Sequence, residues 1–125
     1  MQYYWLIQST GDDIGKASSQ VKGMKDGYDF YGPYSVRNLP LFQKPNFEPN
    51  LDALQLNNQA KLTDIIIPTG VTPRTGFFLS EKTKKIFEEF KLSPHIYNPS
   101  KVIHKNKTYD NFYWIQFIQE MSSNI

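Results

Sequence analysis

The sequence contains no cysteine. That removes disulfides, thiolate nucleophiles and cysteine-based zinc sites together, and it fits a reducing compartment. An excess of one charge is also missing: 14 Lys and Arg stand against 12 Asp and Glu, a formal net charge of +2. A chain this close to neutral carries no bulk field to gather nucleic acid or an anionic membrane surface. No apolar run approaches the roughly 20 residues that a membrane-spanning helix needs. The stretch from Met1 to Ile7 is apolar but short, without a basic leader or a small-residue cleavage site. It reads as part of a strand from Gln2 to Gln8 and not as a signal peptide. The expectation is a cytoplasmic protein with neither nucleic acid nor membrane as its partner.

Catalytic signatures are equally scarce. The chain has no HExxH, GxSxG, GxGxxG or P-loop pattern, so no motif announces a zinc, acyl-transfer or phosphate chemistry. His95 and His104 are the two histidines, and the pattern places them on different elements. General acid–base work needs a histidine within hydrogen-bond reach of a nucleophile and an orienting group, and nothing nearby in sequence supplies either. No pair of acids is singled out by spacing as a hydrolase couple. Asp12 and Asp13 follow Thr10-Gly11 and read as turn-capping carboxylates, because a calcium loop needs acids at alternate positions and a terminal Glu. The expectation is therefore no enzyme, no catalytic residue, no cofactor and no metal site. Two alternatives stay open: a small enzyme or nucleotide-binding domain with a site built from distant residues, and an accessory domain of a larger chain.

What the chain has in quantity is aromatic rings: 8 Tyr, 9 Phe and 2 Trp. That composition suits a packed, strand-rich fold, and 125 residues suit one domain. The expected class is α+β, a single domain over residues 1–125. Its sheet is expected to be mostly antiparallel, with one or two short helices packed on it. Residues 15–49 read as a long irregular segment. Gly15 to Gly27 is polar and reads as loop. Tyr28-Asp29-Phe30-Tyr31-Gly32-Pro33-Tyr34 is an aromatic cluster broken by Gly-Pro. With Lys22, Lys25 and Arg37 nearby, those rings suggest either a stacking platform for single-stranded nucleic acid or rings that pin a loop to the core. Near-neutral charge favours the second. Pro40, Pro45 and Pro49 exclude regular structure from Leu39 to Pro49. That stretch should cross the domain extended, laying Leu39, Leu41, Phe42 and Phe47 on the core.

Leu54 to Leu56 alternates at period two and predicts a short strand. Ala60 to Ile67 reads as a short strand or a helical turn leading into one. The loop from Pro68 to Gly76 leads to the expected folding core, Gly76 to Ile118. There, Gly76-Phe77-Phe78-Leu79 is apolar, and a helix is predicted from Ser80 to Phe90. Ser80 sits where an N-cap is wanted and Glu81 lies at the positive end. Leu79, Thr83, Ile86, Phe87 and Phe90 form an apolar face. Lys82, Lys84, Lys85, Glu88 and Glu89 form a solvated one, with Glu81–Lys85 as an i,i+4 pair. Burial of Phe87 and Phe90 is expected to contribute roughly 2 kcal/mol each. After a break at Ser93-Pro94, Val102-Ile103-His104 predicts a short strand. Phe112 to Ile118 predicts a strand covered on both faces, and the two should form a hairpin with a loop of about six residues.

Three stretches of this region, Leu62-Thr63-Asp64-Ile65, Gly76-Phe77-Phe78-Leu79-Ser80-Glu81-Lys82 and Tyr109-Asp110-Asn111-Phe112-Tyr113-Trp114-Ile115, carry a resemblance. Together they resemble bacterial immunity proteins of polymorphic toxin systems, a family first catalogued as a domain of unknown function. Such proteins carry a Thr-Asp block, a Gly-Phe-Leu-x-Ser-x-Lys step from strand to helix, and a strand ending in Tyr-Tyr/Trp-x-aliphatic. Ile96-Tyr97-Asn98-Pro99 matches the extended segment between them, and Phe78 replaces a second aliphatic. The match spans about residues 60–118. Family members run on past the final strand, which leaves open that the domain is C-terminally incomplete. The resemblance implies a non-enzymatic inhibitor that binds a cognate toxin and protects the producing cell, and it carries over no catalytic residue. The candidate surface for that partner is read from the aromatic cluster: Tyr28, Phe30, Tyr31, Tyr34 and Arg37.

Overall fold

The centre of the molecule is its last strand, Lys107–Phe117. Its even positions Phe112 and Trp114 enter one apolar core, and its odd positions Ile115 and Phe117 enter a second. A strand apolar on both faces has to lie inside a sheet, and this one does. A computed structural model of the chain describes residues 20–68, 71–72 and 76–118. The expected strand from Gln2 to Gln8 and the turn at Asp12-Asp13 lie outside the described residues.

Six strands form one sheet: β1 (Val21–Met24), β2 (Leu54–Leu56), β3 (Ile65–Ile66), β4 (Gly76–Ser80), β5 (His95–His104) and β6 (Lys107–Phe117), in the spatial order β1-β2-β5-β6-β4-β3. The sheet is mixed. β2 runs parallel to β5, through Leu54 opposite Val102, and the other pairings are antiparallel. With one α-helix among the described residues, α1 (Glu81–Phe87), the small single domain is α+β.

The first core gathers Val36, Leu39, Leu51, Leu54, Leu56, Ile66, Phe78, Val102, Phe112 and Trp114. The second gathers Phe77, Leu79, Ile115 and Phe117, with Phe87 and Leu92 packed against them. β4 and β6 approach so closely at Gly76, opposite Gln116, that a Cβ there would strike the Ile115 carbonyl oxygen. Only glycine fits that approach.

Several elements differ from the expectation. β1 lies inside the stretch expected to be loop. It is short, with Lys22 and Gly23 between the apolar Val21 and Met24, and its strand conformation comes from pairing with β2, with an irregularity between Val21 and Gly23. The long β5–β6 hairpin is joined by two residues, Lys105 and Asn106, not six. Both have positive φ, +52° and +64°, as the tight hairpin turn that matches strand twist requires. The run read as loop, Lys107 to Asn111, continues the ladder with most of its side chains in solvent. β5 likewise starts at His95, passes Pro99 and shifts register between Ser100 and Val102. Lys101 N–H there donates to the Leu51 carbonyl at 3.0 Å.

Helix α1 starts where expected. Ser80 Oγ accepts from Thr83 N–H at 3.3 Å. It ends early, at Phe87, and the chain turns off its axis. Thr83 is buried and Phe87 packs edge-on to Phe77 at 6.2 Å. Ile86 and Phe90 are 46% and 48% exposed, so the burial expected of Phe90 is not realised. The pair that forms is Lys84–Glu88 at 3.2 Å, not Glu81–Lys85. Lys84 was expected on the solvated face. Its ammonium instead lies 4.8 Å from the Tyr97 ring centre and 5.0 Å from that of Tyr113, which ties the helix to the sheet by cation–π contact.

The residues that carried the family resemblance have clear structural duties. Ser80 Oγ donates to Asp64 Oδ1 at 2.8 Å, and Ser80 N–H donates to the Asp64 carbonyl at 2.8 Å. Thr63 Oγ1 accepts from Gln20 Nε2 at 2.7 Å and donates to the Ile65 carbonyl at 2.7 Å. The Thr-Asp block therefore clamps β3 to the start of α1.

Candidate partner-binding surface

After β1 the chain turns through Gly27, whose φ of +89° suits glycine, and enters the aromatic loop. Tyr28 holds that loop in place. Its hydroxyl donates to the Asn50 carbonyl at 2.7 Å and accepts from Val36 N–H at 3.1 Å. Successive turns follow: Gly32 N–H to the Asp29 carbonyl at 3.0 Å, Ser35 N–H to the Gly32 carbonyl at 3.3 Å, and Asn38 Nδ2 to the Gly32 carbonyl at 2.8 Å. A Cβ at Gly32 would meet the Asp29 carboxylate, the end of an exposed side chain that can shift aside. Ser35 caps the 3-10 turn Val36–Asn38 by accepting from Arg37 N–H at 3.1 Å. Val36 and Leu39 anchor it in the first core.

This scaffold divides the five candidate residues. Tyr28 and Phe30 are half-buried: Tyr28 is a pin, and Phe30 packs on the first core. Tyr31 and Tyr34 project outward, 78% and 62% exposed. Arg37 is exposed, and its guanidinium sits 4.8 Å from the centre of the Tyr31 ring. Tyr31 in turn stands edge-on to Phe30 at 5.5 Å. Phe30, Tyr31 and Arg37 thus form a stepped series from core to solvent. Leu41, expected on the core, is 60% exposed and enlarges the apolar surface of this irregular half. Its neighbours in the crossing meet the expectation: Leu39 is buried, Phe47 packs on the first core and Phe42 on the second. The crossing is fastened by Gln116, whose Nε2 donates to the Gln43 carbonyl at 2.8 Å and the Pro40 carbonyl at 3.3 Å.

Beside the loop lies a groove of about 480 Å³ lined by Lys22, Lys25, Asp26, Tyr28 and Phe30, among others. Neither histidine reaches it. Both lie on β5, at its two ends, and not on different elements as expected. His95 Nδ1–H donates to the Ser93 carbonyl at 2.8 Å and its ring stands against Tyr97 and Phe117. His104 is buried and Nε2–H donates to the Ala60 carbonyl at 2.8 Å. Among the described residues, no group of three His, Asp or Glu side chains could hold a metal ion, and no helix is long and apolar enough to cross a membrane.

One buried group stands outside sequence expectation. The Tyr97 hydroxyl is buried without a hydrogen-bond partner among the described residues. Burial, and then the charge of Glu88, raise its pKa above the ordinary 10.0. Lys84, stacked on its ring and paired with Glu88, places that acid nearby. Ile96-Tyr97-Asn98 reads locally as an extended segment, and nothing in it signals this environment.

Comparison with protein-family models, with curated proteins and with solved structures gives no match to this chain. What the surface does has to be argued from its residues.

Proposed function

We propose that this protein is a non-enzymatic binding module of the immunity type. It neutralises a cognate bacterial toxin in the cytoplasm of the producing cell by occupying the toxin's surface, and Tyr31, Tyr34 and Arg37 belong to the contact. The observation that carries the proposal is the outward display of Tyr31 and Tyr34 from a loop whose backbone is fixed by Tyr28, Ser35 and Asn38. Tyrosine and arginine are among the residues that most often dominate binding energy at interfaces. A loop already ordered before contact loses little entropy on binding. A stable complex buries about 1,600 Å² in total, so these three side chains would be its centre and not its whole extent. Toxin neutralisation, as distinct from binding in general, is supported by the sequence resemblance over residues 60–118. The groove holds neither histidine, which favours binding over the alternative of a small enzyme.

The experiment is co-expression with a candidate toxin domain, taken from a neighbouring gene where one is encoded there. Cells carrying this chain should grow, and cells carrying the Tyr31→Ala/Arg37→Ala variant should not. Failure of the unaltered chain to restore growth sinks the toxin reading. Equal rescue by the variant removes these residues from the contact.

A further inference from the structure

The groove beside the aromatic loop has a chemistry of its own. One wall is β1 from Lys22 to Met24, the end is the turn Lys25–Gly27, and Tyr28, Phe30 and Val71 complete the lining. At about 480 Å³ it falls in the range of roughly 300–1,000 Å³ typical of ligand pockets. Two of its lining residues are glycines with positive φ, Gly23 at +143° and Gly27 at +89°, and a Cβ at either would meet no atom within 4 Å. Among the described residues, no atom packs above either. The lining is apolar at Met24, Phe30 and Val71. Lys22 and Lys25 are exposed, and neither side-chain ammonium has an ion-pair or hydrogen-bond partner among the described residues. Beyond Phe30 the stepped series leads through Tyr31 to Arg37, which is likewise without a carboxylate partner among the described residues. Among the described residues, three cations without a carboxylate partner therefore flank one aromatic ridge.

We propose that this groove receives an acidic peptide segment of the partner, with carboxylates directed to Lys22 and Lys25 and an apolar side chain set against Phe30. The proposal rests on the binding-module reading above and adds the chemistry of what is bound. Unpaired ammonium groups beside an apolar floor favour an anion that carries its own apolar group. A peptide suits this better than a nucleic acid, because Asp26 lines the groove and the exposed Asp29 lies between the lining residues Tyr28 and Phe30 in sequence. A polyanionic backbone would meet those carboxylates at every placement, whereas a peptide can set its charges between them.

The test is a titration of the full-length ¹⁵N-labelled chain with the peptide Ac-Asp-Glu-Trp-Asp-Glu-NH₂, followed by amide shifts. Its Asn/Gln counterpart and a short oligodeoxythymidine serve as comparisons. Shifts are expected at Lys22–Tyr28 and Phe30. The Lys22→Gln/Lys25→Gln variant should bind about 2- to 30-fold more weakly, the range for two exposed charge contacts. Asp26→Asn should bind more tightly. All three residues are exposed, so the variants should fold as the parent does. The proposal is overturned by no shift at millimolar peptide, by shifts confined elsewhere, by equal binding of the uncharged peptide, or by tighter binding of the oligonucleotide. Its fate is separable from the toxin reading. Peptide binding without rescue of growth keeps the groove and rejects the toxin. Rescue that is indifferent to Lys22→Gln/Lys25→Gln keeps the toxin and rejects the groove.

Discussion

Replacing Tyr28 by Phe tests whether this residue is a scaffold pin or a contact. The ring stays, so its apolar burial is unchanged and only the hydroxyl is lost. Two hydrogen bonds go with it, to the Asn50 carbonyl and from Val36 N–H. They are unequal. Asn50 is exposed, and water replaces the hydroxyl there at little cost. Val36 is 0% exposed, so its N–H is left without an acceptor, a loss of about 1–3 kcal/mol. For a domain of this size that corresponds to a melting temperature lower by about 4–12 °C. Urea unfolding should show an earlier midpoint with an unchanged slope. Tyr31→Phe, which removes an exposed hydroxyl, should stay within about 0.5 kcal/mol of the parent. Should Tyr28→Phe also stay within about 0.5 kcal/mol, the hydroxyl does not order the loop and the division between pin and contact fails.

Other substitutions probe the rest of the framework. Gln116→Leu leaves Trp114 Nε1–H, buried at 0% exposure, without its acceptor and frees the crossing at Pro40 and Gln43. It should destabilise by about 2–4 kcal/mol, with faster amide hydrogen exchange over residues 39–49. Ser80→Ala removes both the helix cap and the link to Asp64 and should lower stability by about 1–2 kcal/mol in urea unfolding. Tyr97→Phe removes a buried hydroxyl that has no partner among the described residues, so stability at neutral pH should be unchanged or higher by up to about 1 kcal/mol. The same variant should flatten the alkaline limb. Because the folded-state pKa of Tyr97 lies above 10.0, the unfolded chain gives up this proton first. The stability tied to it is present below about pH 10 and is lost as pH rises through the folded value. A loss of urea stability between pH 9 and pH 11 as steep in Tyr97→Phe as in the parent would contradict the assignment.

Legibility in the sequence followed the range of the interactions involved. β6 was readable because Phe112 to Ile115 is apolar at successive positions, which needs cover on two sides. The start of α1 was readable because a cap is local chemistry at Ser80. Its end was not, because Phe90 continues the helical spacing after the helix has ended at Phe87. β1 could not be read, since Val21-Lys22-Gly23-Met24 becomes a strand through partners 30 to 35 residues away in β2. The hairpin was underestimated because polar residues from Lys105 to Asn111 signal loop, although a ladder exposed to water accepts them freely. The parallel pairing of β2 with β5 left no trace in either segment.

The candidate surface shows the same limit. Its place in the chain was visible as a cluster of rings around Gly32-Pro33. Which rings face outward was decided by Tyr28 bonding to Asn50, 22 positions on, and by Phe30 finding the core. Leu41 was assigned to the core because leucine usually is, yet the proline-bound crossing turns it to solvent.

The most direct measurement of the central claim is calorimetric titration of a candidate toxin domain, taken from a neighbouring gene where one is encoded there, into the parent and into Tyr31→Ala/Arg37→Ala. Both side chains are exposed, so the variant should melt close to the parent. If they form the centre of the contact, its Kd should rise by about 30-fold or more. An unchanged Kd with an unchanged melting temperature would show that the outward rings and Arg37 are not the binding surface.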